Sequence, residues 1–240
     1  MTIIFNFCCL GAAIISLIDL ARLYYHYRKA KLETIKNFSL GFLYIALAYS
    51  FLSLPQLILF NPFWIQIDFI LVDIFFFGAV YFFILALLRL VGLFHLEKTF
   101  SIIIFSLILV YAFLNVLFFS SALPLESEGI IYYWISGTLW LQSISRGLMI
   151  LLASVIILTF FLKGIKKGGE KIIFWRSFAL VTGGALITIG GFIFWFSPWF
   201  YFSPFLLILS GGIGLLGFLI GSVMAIAFQP PRKKFVEKIT

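Results

Sequence analysis

Charged residues are scarce in this sequence. Asp, Glu, Lys and Arg make up 11% of its 240 residues, whereas a soluble domain carries about 25%. Hydrophobic residues make up 63%, and a chain of this size cannot bury that much apolar surface in its own core. These proportions exclude an ordinary soluble domain and predict a protein whose solvent is the lipid bilayer.

Histidine and cysteine are also rare, and their positions exclude several chemistries. His26 and His95 lie at the edges of apolar stretches, a placement that disfavours a bis-imidazole haem. The sequence has no cluster with zinc spacing, and the last apolar stretch has no central lysine for a retinal Schiff base. Cys8 and Cys9 are adjacent, so they cannot easily bridge each other and are interpreted as small apolar residues. We therefore predict no metal and no cofactor.

Seven apolar stretches run through the chain, each long enough to cross about 30 Å of hydrocarbon as a helix. We predict one bundle of seven transmembrane helices over 1–240, all α in class, with no second domain. The stretch from 130 to 162 is too long for one upright helix, so 130–140 is predicted to lie outside it at the membrane interface. The predicted spans are 3–25, 38–60, 65–94, 100–119, 141–162, 172–196 and 205–228.

Basic residues alternate between the gaps that separate these stretches. The gaps after the first, third, fifth and seventh contain Lys and Arg, and the gaps after the second, fourth and sixth contain none. Because positive loops stay in the cytoplasm, the N-terminus is predicted outside and the C-terminus inside, in a multi-pass protein of the prokaryotic cell membrane. The net charge of +8 lies in short loops and a tail, so its expected partner is the lipid bilayer and not a nucleic acid.

Ionisable side chains inside the spans are the best pointers to function, because each costs at least ~2.5 kcal/mol in mid-membrane. Asp68 and Asp73 on the third span and Arg146 on the fifth enter from the outside, and we predict that Arg146 pairs with Asp73 or Asp68. The two aspartates are about 140° apart around a helix, so they are not expected to share one partner. The pair is either structural or part of an outer ligand pocket. Other polar and aromatic residues assigned to that pocket are Gln56, Asn115, Gln142, Trp134, Trp140, Trp195 and Trp199.

Other polar residues and the glycines are first interpreted as structural. Asp19 and Arg22 are predicted to pair along one face of the first span, near its inner end. Arg89 and Arg176 lie close enough to the cytoplasm to extend into water. Glycines on the sixth and seventh spans predict a tight helix hairpin, with a hinge or a sliding helix as the alternative. These glycines are Gly183, Gly184, Gly190, Gly191, Gly217 and Gly221.

The chain loosely resembles the seven-helix sensory modules at the N-termini of bacterial histidine kinases. The shared features are an outer N-terminus, a long third span ending in Leu88-Arg89-Leu90, and a basic start to the sixth span at Phe174-Trp175-Arg176-Ser177-Phe178. Such receptors continue into a coiled coil and an output domain, whereas this sequence ends at Thr240. The resemblance implies a stand-alone sensor or a membrane subunit that binds a cytoplasmic signalling partner.

Three functions are compatible with these features. The first is a non-enzymatic module that binds a small or lipidic ligand in its outer half. The second is a small-solute or ion-coupled transporter with Asp73 and Arg146 in its path, which needs polar residues to continue inward. The third is an intramembrane lipid-modifying enzyme with Asp68 and Asp73 as acid and base, for which the sequence shows no nucleophile or metal site. The sequence carries no signal for an oligomeric state.

Overall fold

A computed structural model describes residues 3–58, 61–119, 123–127, 130–134, 171–200 and 204–227. The predicted fifth span lies outside these ranges, and the last two helices correspond to the sixth and seventh predicted spans. A short 3-10 helix, Phe94–Leu96, precedes the fourth helix. The long helices are α1 (Ile3–Ala30), α2 (Glu33–Ile58), α3 (Pro62–Val91), α4 (Glu97–Leu117), α5 (Lys171–Phe200) and α6 (Pro204–Ala227).

Helices α1 to α4 are each long and apolar enough to cross a membrane. The described side chains of α5 and α6 cover shorter apolar stretches, Val181–Ile193 and Ile208–Ser222. These apolar helices indicate a membrane-embedded protein, which agrees with the composition. The 28 residues of α1 span about 42 Å, more than the hydrocarbon thickness, so its last turn with Arg28 and Lys29 can emerge into the headgroup region.

Local sequence signals set both ends of α3. The Asn61 side chain accepts a hydrogen bond of 2.9 Å from the backbone N–H of Phe63, and Pro62 occupies the first turn, where no helical N–H partner is needed. At the other end Gly92 has φ +83°, and its N–H donates to the carbonyl of Arg89 at 3.1 Å. This left-handed glycine ends the helix and turns the chain towards α4.

A short β-hairpin follows α4. Strand β1 (Leu123–Ser127) pairs antiparallel with β2 (Ile130–Trp134), with Leu123 opposite Trp134 and Ser127 opposite Ile130. The strand β2 consists of β-branched and aromatic residues that favour extended structure. The described chain is otherwise helical, so the hairpin is an element that the all-α prediction lacked. Strand β2 contacts α3 and covers 130–134 of the segment predicted to lie at the membrane interface, and 135–140 are outside the described residues.

The helices that touch form a row in the order α4, α3, α2, α1, α6, α5. Small residues allow close approach between α2 and α3: the Phe83 ring lies over Gly41, and the Tyr44 ring lies over Gly78. Close contacts of Gly11 with Leu215 show that α1 packs beside α6. Along this interface the numbering of both helices increases together, so α1 and α6 are parallel.

The two ends of this row differ in charge. The end where α1 and α3 finish and α2, α4 and α5 start is called the basic end. Every Lys and Arg in the described ranges lies in the half of its helix, or in the turn, nearest to this end. The opposite end, where the hairpin contacts α3, carries none of these described cations.

Candidate functional site

Buried polar side chains collect in the half of the bundle farther from the basic end. Besides Ser53 of α2 and Ser210 of α6, α1 contributes one such residue, α3 three and α4 two, and each of these six is between 0 and 4% exposed. Asp68, Asp73 and Asn115 were predicted from the sequence as site residues, whereas the other three carry no sequence signal beyond their residue type. We call this set the polar layer: Asn6, Gln66, Asp68, Asp73, Tyr111 and Asn115.

Asp73 is held towards α4. The Tyr111 hydroxyl donates a hydrogen bond to its Oδ2 atom, and both residues are buried. The Tyr111 ring also packs against Phe77, one turn along α3, with the ring centroids 5.7 Å apart. Ile70 and Ile74 pack against this pair. The carboxylate of Asp73 therefore helps to join α3 to α4 inside an apolar cluster.

Gln66 and Asn115 extend this polar contact towards the end with the hairpin. Asn115 lies one turn beyond Tyr111, and its Nδ2 donates to the Tyr111 carbonyl at 2.9 Å. Gln66 lies seven residues before Asp73 and so occupies the same stripe of α3. Its Oε1 is buried and accepts no hydrogen bond. On the stripe of α3 nearest α4, Gln66 Oε1 is thus an acceptor with no hydrogen-bond donor among the described residues.

Asp68 occupies a different stripe of α3, which faces α2. It lies seven residues before Phe75, whose ring contacts Tyr44 and Phe51 of α2 at centroid distances of 6.2 and 5.2 Å. Asp68 is 4% exposed, and neither carboxylate oxygen has a hydrogen-bond partner among the residues that the structure describes. The described cation on the same helix, Arg89, lies about 32 Å away along the axis. Within the described ranges, this buried acidic group therefore has no compensating charge beside it.

The unsatisfied atoms of the polar layer share one chemical property. They are Asn6 Oδ1, Gln66 Oε1 and both carboxylate oxygens of Asp68, and all four are hydrogen-bond acceptors. A buried polar group without a partner costs about 1–3 kcal/mol. A ligand that brings hydrogen-bond donors or positive charge into this layer would remove that cost.

Several predicted site residues cannot be placed against this layer. Arg146, Gln142 and Trp140 lie outside the described residues, so the pairing of Arg146 with Asp73 or Asp68 stays a prediction. For Gln56 and Trp134 the structure describes the backbone only, in α2 and β2.

The height of the Gln56 backbone relative to Asp68 can nevertheless be derived from the register of α2 against α3. The antiparallel register that sets Phe51 beside Phe75 and Tyr44 beside Gly78 puts position 56 at about the height of Asp68. The register of α2 against α3 therefore sets the backbone of Gln56 level with that of Asp68. For Trp195 and Trp199, as for Gln56, the structure describes only the helix backbone, here that of α5.

The half of the bundle nearer the basic end contains a third buried carboxylate, Asp19 on α1. The Ser222 hydroxyl of α6 donates to its Oδ2 atom, and Arg22 on the same helix interacts favourably with its charge. The sequence pointed to Arg22 through its spacing, but gave no reason to select Ser222, which is 203 residues away. This carboxylate has partners and joins α1 to α6.

Arg89 lies in a charged cluster at the basic end. Its Nε is 2.6 Å from Glu97 Oε1, its Nη2 donates to Glu97 Oε2 at 2.8 Å, and its Nη1 is 3.9 Å from Glu33 Oε2. The residue that was expected to extend into water is thus held by acids at the starts of α4 and α2. We call Arg89, Glu97 and Glu33 the inner cluster, and it links three helices.

Glycines bring α5 and α6 into close contact. A Cβ atom on Gly183 would lie 2.6 Å from the carbonyl oxygen of Gly217 and 3.1 Å from the Cα of Gly221. A Cβ on Gly190 would lie 2.7 Å from the carbonyl oxygen of Ser210. Any larger residue at Gly183 or Gly190 would have to displace backbone. These positions form the tight helix pair.

Gly191 lacks the close Cβ contact that Gly190 makes. A Cβ on Gly191 would meet nothing within 4 Å, and position 191 is rotated about 100° from position 190 around α5. The carbonyl of Gly184 accepts a hydrogen bond of 2.9 Å from the Thr188 hydroxyl within α5. The seven-residue spacing of 184 and 191 is the same as that of 183 and 190, so spacing did not reveal which pair faces α6.

The polar layer shows neither a metal group nor a paired acid and base among the described residues. Within the described ranges, no group of three or more His, Cys, Asp or Glu side chains could hold a metal ion. Asp68 and Asp73 project about 140° apart from α3, so they do not face one reacting atom as an acid and base would. Comparisons with protein-family models, curated proteins and solved structures found no match to this chain.

Proposed function

We propose that this protein is a non-enzymatic membrane module that binds a small or lipidic ligand in its outer half and acts through a cytoplasmic partner. The observation that carries the proposal is the buried carboxylate of Asp68, which lacks a hydrogen-bond partner. A buried carboxylate without a donor raises the free energy of the fold. A ligand that donates to the Asp68 carboxylate therefore stabilises the helix arrangement that binds the ligand best.

The proposal includes seven spans, an outer N-terminus and a cytoplasmic C-terminus in a prokaryotic cell membrane. It is supported by the concentration of described Lys and Arg residues at the basic end, since positive charge is retained in the cytoplasm. In that orientation the polar layer lies in the outer half. Reporter tags at the two termini test this topology. Finding both termini on one side of the membrane would overturn it.

A route from the ligand to the partner is available through α3. This helix carries Asp68 near its outer end and Arg89 near its inner end, and Arg89 contacts Glu97 of α4 and Glu33 of α2. A ligand-dependent shift of α3 would therefore change the relative positions of three helices at the cytoplasmic face. The resemblance to the sensory modules of histidine kinases supports the same use of the bundle.

Ligand binding and transport can be separated with the purified chain. We expect a bound ligand to raise the thermal unfolding midpoint in detergent, and Asp68→Asn to abolish the rise. We also expect no net uptake of that ligand when the chain alone is reconstituted in proteoliposomes. Robust uptake that depends on Asp68 would replace the sensor proposal with transport.

The second candidate is an ion-coupled transporter, and the position of Asp19 favours it. Asp19 and Ser222 provide buried polar groups in the inner half, where a path that begins at Asp68 and Asp73 would have to continue. An Asp19→Asn variant tests this function in the same proteoliposomes. Loss of uptake with ligand binding retained would place Asp19 on a path, whereas absence of uptake in the unmodified chain would remove the candidate.

A further inference from the structure

We infer that the Asp68 side of the polar layer binds a monovalent cation, either an alkali ion or a primary ammonium group. This inference rests on the proposed function and specifies its ligand. Both carboxylate oxygens of Asp68 are buried, and neither accepts a hydrogen bond from the residues that the structure describes. Such a site is complementary to positive charge or to N–H groups.

The difference between Asp68 and the other buried acids determines where the cation binds. Asp73 accepts a hydrogen bond from Tyr111, and Asp19 accepts one from Ser222. Asp68 is buried to a similar extent but has no donor on either oxygen. A neutral ligand would leave its charge uncompensated in a medium where an unpaired charge is costly, whereas a cation balances it.

The stripe of α3 that carries Asp68 also meets groups that attract cations. Pro55 lies within α2 and has no N–H to donate to the carbonyl of Phe51 one turn below. The rings of Phe51 and Phe75 meet on the same stripe as Asp68, 5.2 Å apart. Aromatic rings attract ammonium groups through their faces, and backbone carbonyls coordinate alkali ions.

The number of acids argues for a single positive charge. Ca²⁺ sites collect six to eight oxygen ligands with several carboxylates, and zinc sites use clustered His, Cys or acidic side chains. Asp68 is the one acid on its stripe of the polar layer, and the described residues contain no three-residue metal group. One carboxylate matches one unit of positive charge.

Thermal unfolding of the full chain in detergent tests the inference. Sodium, potassium and methylammonium chlorides are titrated at constant ionic strength with N-methylglucamine chloride as the balance. We expect one of them to raise the midpoint saturably, by about 5–10 °C at a hundredfold excess over its Kd. Asp68→Asn, which has no charge, should abolish the rise, and Glu33→Gln, an acid removed at the basic end, should retain it.

The outcomes separate this inference from the proposed function. A response to the inorganic ions alone assigns an alkali site, and a response to methylammonium alone assigns an organic ammonium ligand; both support the inference. If no cation shifts the midpoint and Asp68→Asn is at least as stable as the original chain, Asp68 is a neutral buried acid and the inference is overturned. Stabilisation by a neutral solute through Asp68 would overturn the cation while retaining the proposed ligand site.

Discussion

Arg89 at the end of α3 and Glu97 at the start of α4 form a two-point ion pair across the turn at Gly92. Nε lies 2.6 Å from Oε1, and Nη2 donates to Oε2 at 2.8 Å. Glu97 lies in the first turn of α4, where the helix dipole also favours a negative charge. The pair fixes the connection between the helix that carries Asp68 and the helix that carries Tyr111.

Breaking this pair should loosen the α3–α4 connection. We expect Glu97→Gln to lower the free energy of unfolding by about 1–2 kcal/mol, because a partly buried two-point contact is stronger than an exposed one. Arg89→Lys keeps the charge but cannot bind both oxygens, so it should lose part of that energy. Denaturation of single and double variants measures the coupling, and additive losses would show that the two residues do not interact.

Two glycines on α5 provide a matched pair. Gly183→Ala should destabilise the chain by roughly 1–3 kcal/mol, since its methyl group would lie 2.6 Å from a backbone oxygen of α6. Gly191→Ala should be neutral or stabilising by up to about 1 kcal/mol, because the new methyl meets nothing and alanine favours helix. Thermal unfolding compares them directly. Equal effects at both positions would contradict the packing of α5 against α6.

The hydrogen bond from Tyr111 to Asp73 should contribute more to stability than a hydroxyl pair on the same two helices. Tyr111→Phe is expected to cost about 1.5–3 kcal/mol because it removes a donor from a buried carboxylate. The control is Tyr81→Phe, which removes a hydroxyl 2.9 Å from that of Ser101 and should cost about 0.5–1.5 kcal/mol. Chemical denaturation ranks the two, and the reverse order would contradict the role given to Asp73.

Ser222 should stabilise the pairing of α1 with α6. Ser222→Ala removes the donor to the Asp19 carboxylate, and we expect a loss of about 1.5 kcal/mol. Ser16→Ala is the control, because the Ser16 hydroxyl donates only within α1, to the Ala12 carbonyl at 2.8 Å, and should change stability by less than about 0.5 kcal/mol. Thermal midpoints measured at one pH test both. If Ser222→Ala leaves the thermal midpoint unchanged, the hydrogen bond from Ser222 to Asp19 does not contribute to stability.

The long helices could be predicted from the residues alone. Apolar stretches long enough to span hydrocarbon marked α1 to α4. Residues 130–140 were kept out of the spans because the apolar stretch is too long for one helix, but the strand pairing of Ile130 to Trp134 was not predicted. Its β-branched and aromatic residues favour a strand, yet length and hydropathy do not distinguish a strand from a helical turn over five residues.

Within the site, depth was predictable and pairing was not. Position along an apolar helix fixes the depth of Asp68, Asp73 and Asn115, and all three are buried in one half of the bundle. The donor to Asp73 comes from Tyr111, 38 residues away, and nothing in the local pattern distinguishes that tyrosine from the others. The absence of any such donor at Asp68 is equally invisible in the sequence.

The amino-acid sequence by itself determined that this chain belongs in lipid and how deep each polar residue lies, because hydrophobicity and the helical rise depend only on residues close together. Tertiary packing decided which of those residues have partners. The 100° step between neighbours in a helix gives Gly190 and Gly191 different surroundings, and it gives the carboxylates of Asp73 and Asp68 different neighbours. Only the contacts between helices determine that Asp73 has a donor, whereas Asp68 has none among the described residues.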